Sequence, residues 1–207
     1  MYKYILILIA GIFMFSGCED LFEPAPENFN DIGQMHTDIA FAQGVLMSGY
    51  RMLPGYYDNS ECATDDAVTN NKNSSFIRVA TGGWTASDNT FAQWNRGFSA
   101  LQYINIFIEN VDSIKWATDP DAAILFNKRM KGEAHGLRAL FMYYLLRSHA
   151  GYSQNGELLG VPVVTEFLDP DTDFNHELKR STFEACMQQL YSDLDMAESL
   201  LPMEYND

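Results

Sequence analysis

Four stretches of the chain carry apolar residues at a helical step of three or four, and long polar stretches separate them. In the first, from about Asp38 to Leu53, Phe41, Val45, Gly49 and Met52 share one side, and Pro54-Gly55 stops the run. In the second, from about Asn89 to Val111, the stripe is Phe91, Trp94, Phe98, Leu101, Ile104, Ile108 and Val111. The third runs from near Asp121 to about His149, with Met130, Ala134, Leu137, Phe141, Tyr144 and Ser148 in phase. The fourth opens on Ser181-Thr182-Phe183-Glu184, which reads as a capping box because Ser181 and Glu184 can satisfy each other's free amides. Its stripe continues through Met187, Leu190, Leu194, Ala197 and Leu201, and Pro202 closes it. The pattern predicts an all-α fold, mainly helical with long loops. No exact internal repeat is visible, although amphipathic helices in antiparallel pairs are what tetratricopeptide-like repeats become after divergence.

Two long connections hold most of the non-helical chain. Residues 56–88 are rich in Asn, Thr, Ser, Gly and Asp, with one apolar stretch from Phe76 to Ala80. Residues 150–180 contain Gly160-Val161-Pro162-Val163-Val164-Thr165, which reads as extended, followed by the acidic Asp169-Pro170-Asp171-Thr172-Asp173. Loops longer than about 15 residues in a compact domain are usually functional or disordered, so binding residues are to be sought there.

The first 17 residues follow a different rule. Lys3 is the only charge before Glu19, and Tyr4 to Phe15 form an apolar run of about a dozen residues, short of the ~20 that a spanning helix needs. These are the dimensions of an export signal. The run ends Phe15-Ser16-Gly17-Cys18, which resembles a bacterial lipobox with Phe15 where Leu is usual, so residues 1–17 are expected to be cleaved and Cys18 lipidated. The alternative is a plain secretory signal in which Cys18 happens to follow Ser16-Gly17. Two acyl chains on Cys18 would anchor the protein to a membrane without spanning it. Residues 18–37 (Glu19 to Thr37, with Pro24 and Pro26) have no helical period and read as a tether; residues 38–207 form the domain.

Composition narrows the partners. The 207 residues carry 13 Lys+Arg against 28 Asp+Glu, a net charge of −15, and removal of residues 1–17 leaves 190 residues at 12 − 28 = −16. Phosphate binding needs a surplus of cations, so nucleic acid is excluded as a partner, as is an electrostatic grip on anionic lipid. At 47% hydrophobic and 14% aromatic residues the chain has ample material for a core. Besides Cys18 there are only Cys62 and Cys186. An exported compartment permits their pairing, while the place of Cys186 on the apolar side of a helix also fits a buried free thiol.

No catalytic motif is present: the chain has no Gly-rich phosphate loop, no G-x-S-x-G, no H-E-x-x-H and no C-x-x-C. His36, His135, His149 and His176 share no ligand spacing. Asp169-x-Asp171-x-Asp173 begins like a calcium loop, but Phe174 stands where Gly is needed and Arg180 where Glu is needed, which leaves an irregular site or a solvated acidic turn. Neither an enzyme nor a cofactor nor a metal is indicated, although two acids at glycosidase separation are a reading that sequence leaves open. Asn73-Ser74-Ser75 matches the N-glycosylation pattern, which a bacterial export signal makes moot.

The aromatics say more. Trp94 belongs to a helical stripe and is expected in the core. Trp84 sits in the polar Thr81-Gly82-Gly83-Trp84-Thr85, where a large ring has no periodic reason to be. An exposed aromatic ring stacks on the C–H face of a sugar while short polar groups bond its hydroxyls. Asp65, Asp66, Asn70, Arg78 and Asn89 supply such groups in the same connection, so Trp84, Arg78, Asp65, Asp66 and Asn89 are the candidate ligand-binding residues. A ring folded back as a lid on the core is the competing account of Trp84.

Several segments in order resemble the SusD/RagB-like lipoproteins. Cys18-Glu19-Asp20-Leu21-Phe22-Glu23-Pro24 resembles their mature start, and Trp94…Phe98…Leu101…Ile104-Asn105…Asn110 their Trp-containing helix. Lys131-Gly132-Glu133-Ala134-His135-Gly136-Leu137-Arg138-Ala139…Tyr143-Tyr144 is close to their "G-E-A-x-x-L-R-A-x-x-Y" helix. Gly160-Val161-Pro162-Val163-Val164-Thr165-Glu166 is similar to "G-x-P-L-V-T-E", and Asp193-Leu194…Ala197…Leu201-Pro202 to the next helix end. The resemblance implies tetratricopeptide-like antiparallel helix pairs on the outer membrane of Bacteroidota. It also implies lipid anchoring at the surface through Cys18, and binding of nutrient glycans for a TonB-dependent (SusC-like) transporter rather than catalysis. Other members take peptides. Members are usually at least twice this long, so a fragment or a truncated copy is expected; a helical scaffold and a surface glycosidase are the remaining alternatives.

Overall fold

The computed structural model describes residues 32–55, 59–85, 87–169 and 178–204. Cys18, the segment 1–17, most of the 18–37 stretch, Asp171 and Asp173 lie outside them. Among the described residues there are five α-helices: α1 (Ile39–Arg51), α2 (Ser75–Ala80), α3 (Trp94–Asn110), α4 (Pro120–His149) and α5 (Phe183–Leu200). A short antiparallel hairpin of β1 (Gly151–Tyr152) and β2 (Leu158–Leu159) follows α4, with Gly151 opposite Leu159.

The helix starts are set by side-chain caps. Asp38 accepts the Phe41 amide at 3.0 Å, and Asp119, just ahead of Pro120, accepts that of Ala122 at 2.8 Å. The expected capping box at α5 is not formed. Thr182 is the cap and accepts the Ala185 amide at 3.1 Å, while the Ser181 hydroxyl is spent on the Val163 amide at 3.4 Å. The bridge between Leu159 and Thr182 holds Ser181 beside the extended chain, one residue too early to cap.

Pairwise contacts give the helix directions. Gly97 meets Leu145, Asn105 bonds Arg138, and Asn127 reaches Val111 O, so α3 and α4 run antiparallel. Gly136 meets Ala197 and Gly132 meets Leu201, while Gly160 wedges between Leu146 and Cys186, so α4 and α5 do the same. Gly49 on Ile104 and His36 on Asn110 set α1 against α3 in the same sense. Their shared core includes Leu46, Leu101, Ile104, Phe107, Leu137, Phe141, Leu145, Val161 and Cys186. The fold is therefore built of tetratricopeptide-like antiparallel helix pairs, as the sequence predicts.

Packing begins before Asp38. Residues 32–36, placed in the tether by sequence, form a 3-10 helix whose Met35 is fully buried. No helix of the described residues is long and apolar enough to cross a membrane.

The segment 160–168 forms no strand: Gly160 and Val161 exchange backbone bonds with Ser181 ahead of α5, and the chain from Val164 to Leu168 bonds mostly side chains of α3. The Asn105 amide donates to Val164 O (3.2 Å) and Glu166 O (2.9 Å). Gln102 donates to Leu168 O (3.0 Å) and accepts its amide (3.2 Å), and Glu109 accepts the Phe167 amide at 2.6 Å. Positions 102, 105 and 109 lie on one helical face, which makes α3 a substitute for a neighbouring strand.

Candidate functional site

The polar connection between α1 and α3 forms one wall of a cleft at the end of the α3–α4 pair. A 3-10 turn at Ser60–Ala63 packs on α2, and α2 ends at Thr81 with Gly82 at φ +72°, a conformation that suits glycine. That turn redirects the chain so that Trp84 leaves the helix and stays 55% exposed. Asn89 and Phe91 follow on a turn in which the Asn89 carbonyl oxygen Oδ1 accepts the Phe91 amide at 2.9 Å. Phe91 packs on Phe76 of α2 with ring centroids 5.8 Å apart. The opposite wall is the last turn of α4: Asn89 Nδ2 donates to Ser148 O at 3.4 Å, and the His149 ring accepts the Gln93 amide at 3.0 Å.

Ser60, Val79, Trp84, Asn89, Phe91, Arg147 and Ser148 line the resulting cleft of about 540 Å³. It combines exposed aromatic faces with an amide, a hydroxyl and a guanidinium, which is the equipment for a polyhydroxylated ligand. Arg147 lies over the rings of Tyr143 (5.8 Å) and Tyr144 (5.3 Å) of its own helix. A smaller apolar cleft of about 310 Å³ lies at the side of α3, between Trp94, Phe98 and Gln102 and the segment holding Pro162, Val164 and Leu168, with Leu178.

Of the sequence-derived candidates, Trp84 and Asn89 meet in the large cleft. Arg78 is one step away, ion-paired with Asp88 across the turn that carries Trp84. Asp65, Asp66 and Asn70 are exposed and do not line it; Asp66 is engaged locally with Thr64. Arg147, Ser148 and Phe91 were not singled out because each falls inside or beside a helical stripe. The Tyr143-Tyr144-x-x-Arg147 spacing, aromatic rings one turn before a cation, is the signal that could have found Arg147.

Trp94 differs from its expected core position. It is 39% exposed, packed on Phe98 (4.8 Å) and edge-on to His149 (5.4 Å), because α3 begins at Trp94 and its first turn lies beyond the cover of α1. Cys62 and Cys186 stand free; Cys186 is buried and donates to Val161 O at 3.2 Å. Burial pushes its thiol above the usual range, against the opposing pull of that bond and of Arg180. Among the described residues no group of three or more His, Cys, Asp or Glu is placed to hold a metal ion.

A buried polar cluster ties α3, α4 and α5 together. Arg138 donates to both oxygens of Asp193 (2.9 and 2.6 Å), to Asn105 Oδ1 (3.1 Å) and to Thr165 O (3.1 Å); His135 Nδ1 lies 2.8 Å from Asp193. Gln189 adds a further donor at 3.1 Å. Burial alone would raise the Asp193 carboxyl, but hydrogen bonds from His135 and Arg138, the guanidinium charge and Gln189 outweigh it and hold the carboxyl below its ordinary value.

The described residues thus form an antiparallel helical array with an aromatic, polar cleft at one end. Residues 30–207 match the SusD-like family model described as starch-binding and associating with the outer membrane, and the chain belongs to that family. Among solved structures it is similar to a Bacteroides vulgatus protein provisionally described as sugar-binding (25% identity, TM-score 0.61) and to a SusD superfamily protein of Bacteroides thetaiotaomicron (26%, 0.58). Each similarity covers 82% of this chain and 38% of the other. A laminarin-binding SusD-like protein shares the fold at 19% identity and a TM-score of 0.60, over 81% of this chain and 35% of its own. The chain thus spans little more than a third of these relatives. No curated protein matches it.

Proposed function

We propose that the protein binds nutrient glycans in the Trp84 cleft and delivers them to a partner TonB-dependent outer-membrane transporter, held at the surface by a lipidated Cys18. The observation that carries the binding reading is the cleft itself: an exposed Trp84 beside Phe91, Asn89, Arg147 and Ser148. A pyranose lays its C–H face on an indole and offers its hydroxyls to the amide, hydroxyl and guanidinium around it. Family membership supports the outer-membrane setting, and the lipobox-like Ser16-Gly17-Cys18 supports the anchor. The reading is a binding protein and not an enzyme.

Affinity electrophoresis in gels containing soluble polysaccharides tests the binding claim. Retardation by at least one glycan is expected, with Trp84→Ala abolishing it while the circular dichroism spectrum stays unchanged, since the ring is largely exposed. Full retardation of Trp84→Ala would move the site elsewhere. For anchoring, Cys18→Ala should release the protein from the membrane fraction; for delivery, a transporter barrel should co-purify from detergent-solubilised outer membranes.

A further inference from the structure

The charge inside the cleft goes beyond a neutral-sugar site. Several described cations are engaged elsewhere: Arg78 pairs with Asp88, Arg129 with Glu133, Lys131 with Asp112, and Arg138 with Asp193, while Arg180 donates to the carbonyls of His149, Leu159 and Gly160. Arg147, like Arg96 of α3 and Lys128 of α4, has no such pair among the described residues. It lines the cleft, and among the described residues it makes ring contacts with Tyr143 and Tyr144 but neither an ion pair nor a hydrogen bond. What sets Arg147 apart is its place in the lining of the aromatic cleft, where its charge can meet an acid brought by a ligand.

The two tyrosine rings also restrict the guanidinium, which lowers the entropy lost when its planar fork engages a planar, bidentate partner. Among the described residues no acidic side chain lines the cleft. We infer that the Trp84 cleft selects an acidic saccharide, with the Arg147 fork gripping a hexuronate carboxylate while Trp84 and Phe91 carry the ring face. This rests on the glycan reading above and adds the ligand class. The net charge of −15 opposes the approach of a long polyanion, so the grip is local and suits a short uronate segment at an ionic strength where distant charges are screened, about 0.15 M.

Calorimetric titration of the purified chain at that salt, with trigalacturonate, a neutral laminari-trisaccharide and a sulfated disaccharide as probes, decides it. The expected result is a preference for trigalacturonate, reduced about tenfold or more in Arg147→Gln, in line with the loss of a charge-assisted hydrogen bond, and unchanged in Lys115→Gln at the other end of α3. Equal or tighter binding of the neutral trisaccharide, with Arg147→Gln without effect, overturns the acidic assignment and leaves the glycan reading standing. Tighter binding of the sulfated probe overturns the carboxylate assignment. Binding of none of the three overturns the present proposal, and the polysaccharide gels above then decide separately whether the glycan reading falls with it.

Discussion

Asp193 is the residue on which the buried cluster turns. At 2% exposure it faces Arg138, His135 and Gln189, and its charge is what makes the buried guanidinium tolerable. Asp193→Asn should cost about 3 kcal/mol or more, because it leaves the Arg138 charge buried without a counter-charge. Because the folded carboxyl lies below its ordinary value near 4, its contribution is complete above that value and is lost as pH falls through the lower folded one. Urea titrations of wild type and Asp193→Asn should therefore differ most above about pH 5 and converge below pH 4; a gap that persists undiminished at pH 3 would contradict the ion pair. At Gly160 the constraint is steric. A Cβ there would run into Cys186 Sγ and lie 3.1 Å from Leu146 Cδ2. Gly160→Ala should destabilise by about 1–3 kcal/mol, and Cys186→Ala in the same chain should recover part of that loss, which a double-mutant cycle of urea midpoints would measure.

Between elements, Gly160 to Thr165 reads as a strand yet joins no sheet because its first residues bond Ser181 and the chain just ahead of α5, while from Val164 to Leu168 the partners are mostly Gln102, Asn105 and Glu109 of α3. Gln102→Ala should speed hydrogen exchange of the Leu168 amide while leaving the amides of α3 protected; unchanged exchange at Leu168 would mean that the ladder does not hold the segment. The four long helices were legible because each buries one stripe at a step of three or four against a neighbour. Three features were not. The α2 helix is six residues long and has no fully buried residue, so no periodic stripe betrays it. The start of α3 slipped from Asn89 to Trp94 because Gln93 is held by the His149 ring, a contact 56 residues away in sequence. Five of the seven cleft residues were missed, Arg147 and Ser148 for the same reason, since they join Trp84 and Asn89 only when α4 ends beside the loop.

That His149 contact makes a further prediction at the joint. The ring nitrogen accepts the Gln93 amide only when unprotonated, and burial, then the Arg180 charge, lower its affinity for a proton. Its contribution is therefore present above the ordinary value near 6.5 and is lost as pH falls through the lower folded value. Tryptophan fluorescence, which includes Trp94 edge-on to this ring, should step in that window in wild type and not in His149→Phe. A step of equal size in the variant would assign the titration to another group.

Over the whole molecule, charge sets the balance in the opposite direction from the individual ion pairs. Of the pairs described, Arg78–Asp88, Arg129–Glu133 and Lys131–Asp112 are at least partly exposed, and such pairs contribute about 0–1 kcal/mol each, less in salt. Against them stands a net charge of −15, whose self-repulsion reaches across the domain when the screening length is about 30 Å, as at 0.01 M salt, and shrinks when it falls to about 8 Å at 0.15 M. Fifteen uncompensated charges outweigh three solvated pairs. The buried Arg138–Asp193 pair is little affected either way, being only 7% and 2% exposed. The midpoint of thermal unfolding at pH 7 should therefore rise with sodium chloride over that range, and rise less as the pH is lowered towards 5 and carboxylates begin to take up protons. A midpoint that falls with salt would mean that the exposed pairs dominate.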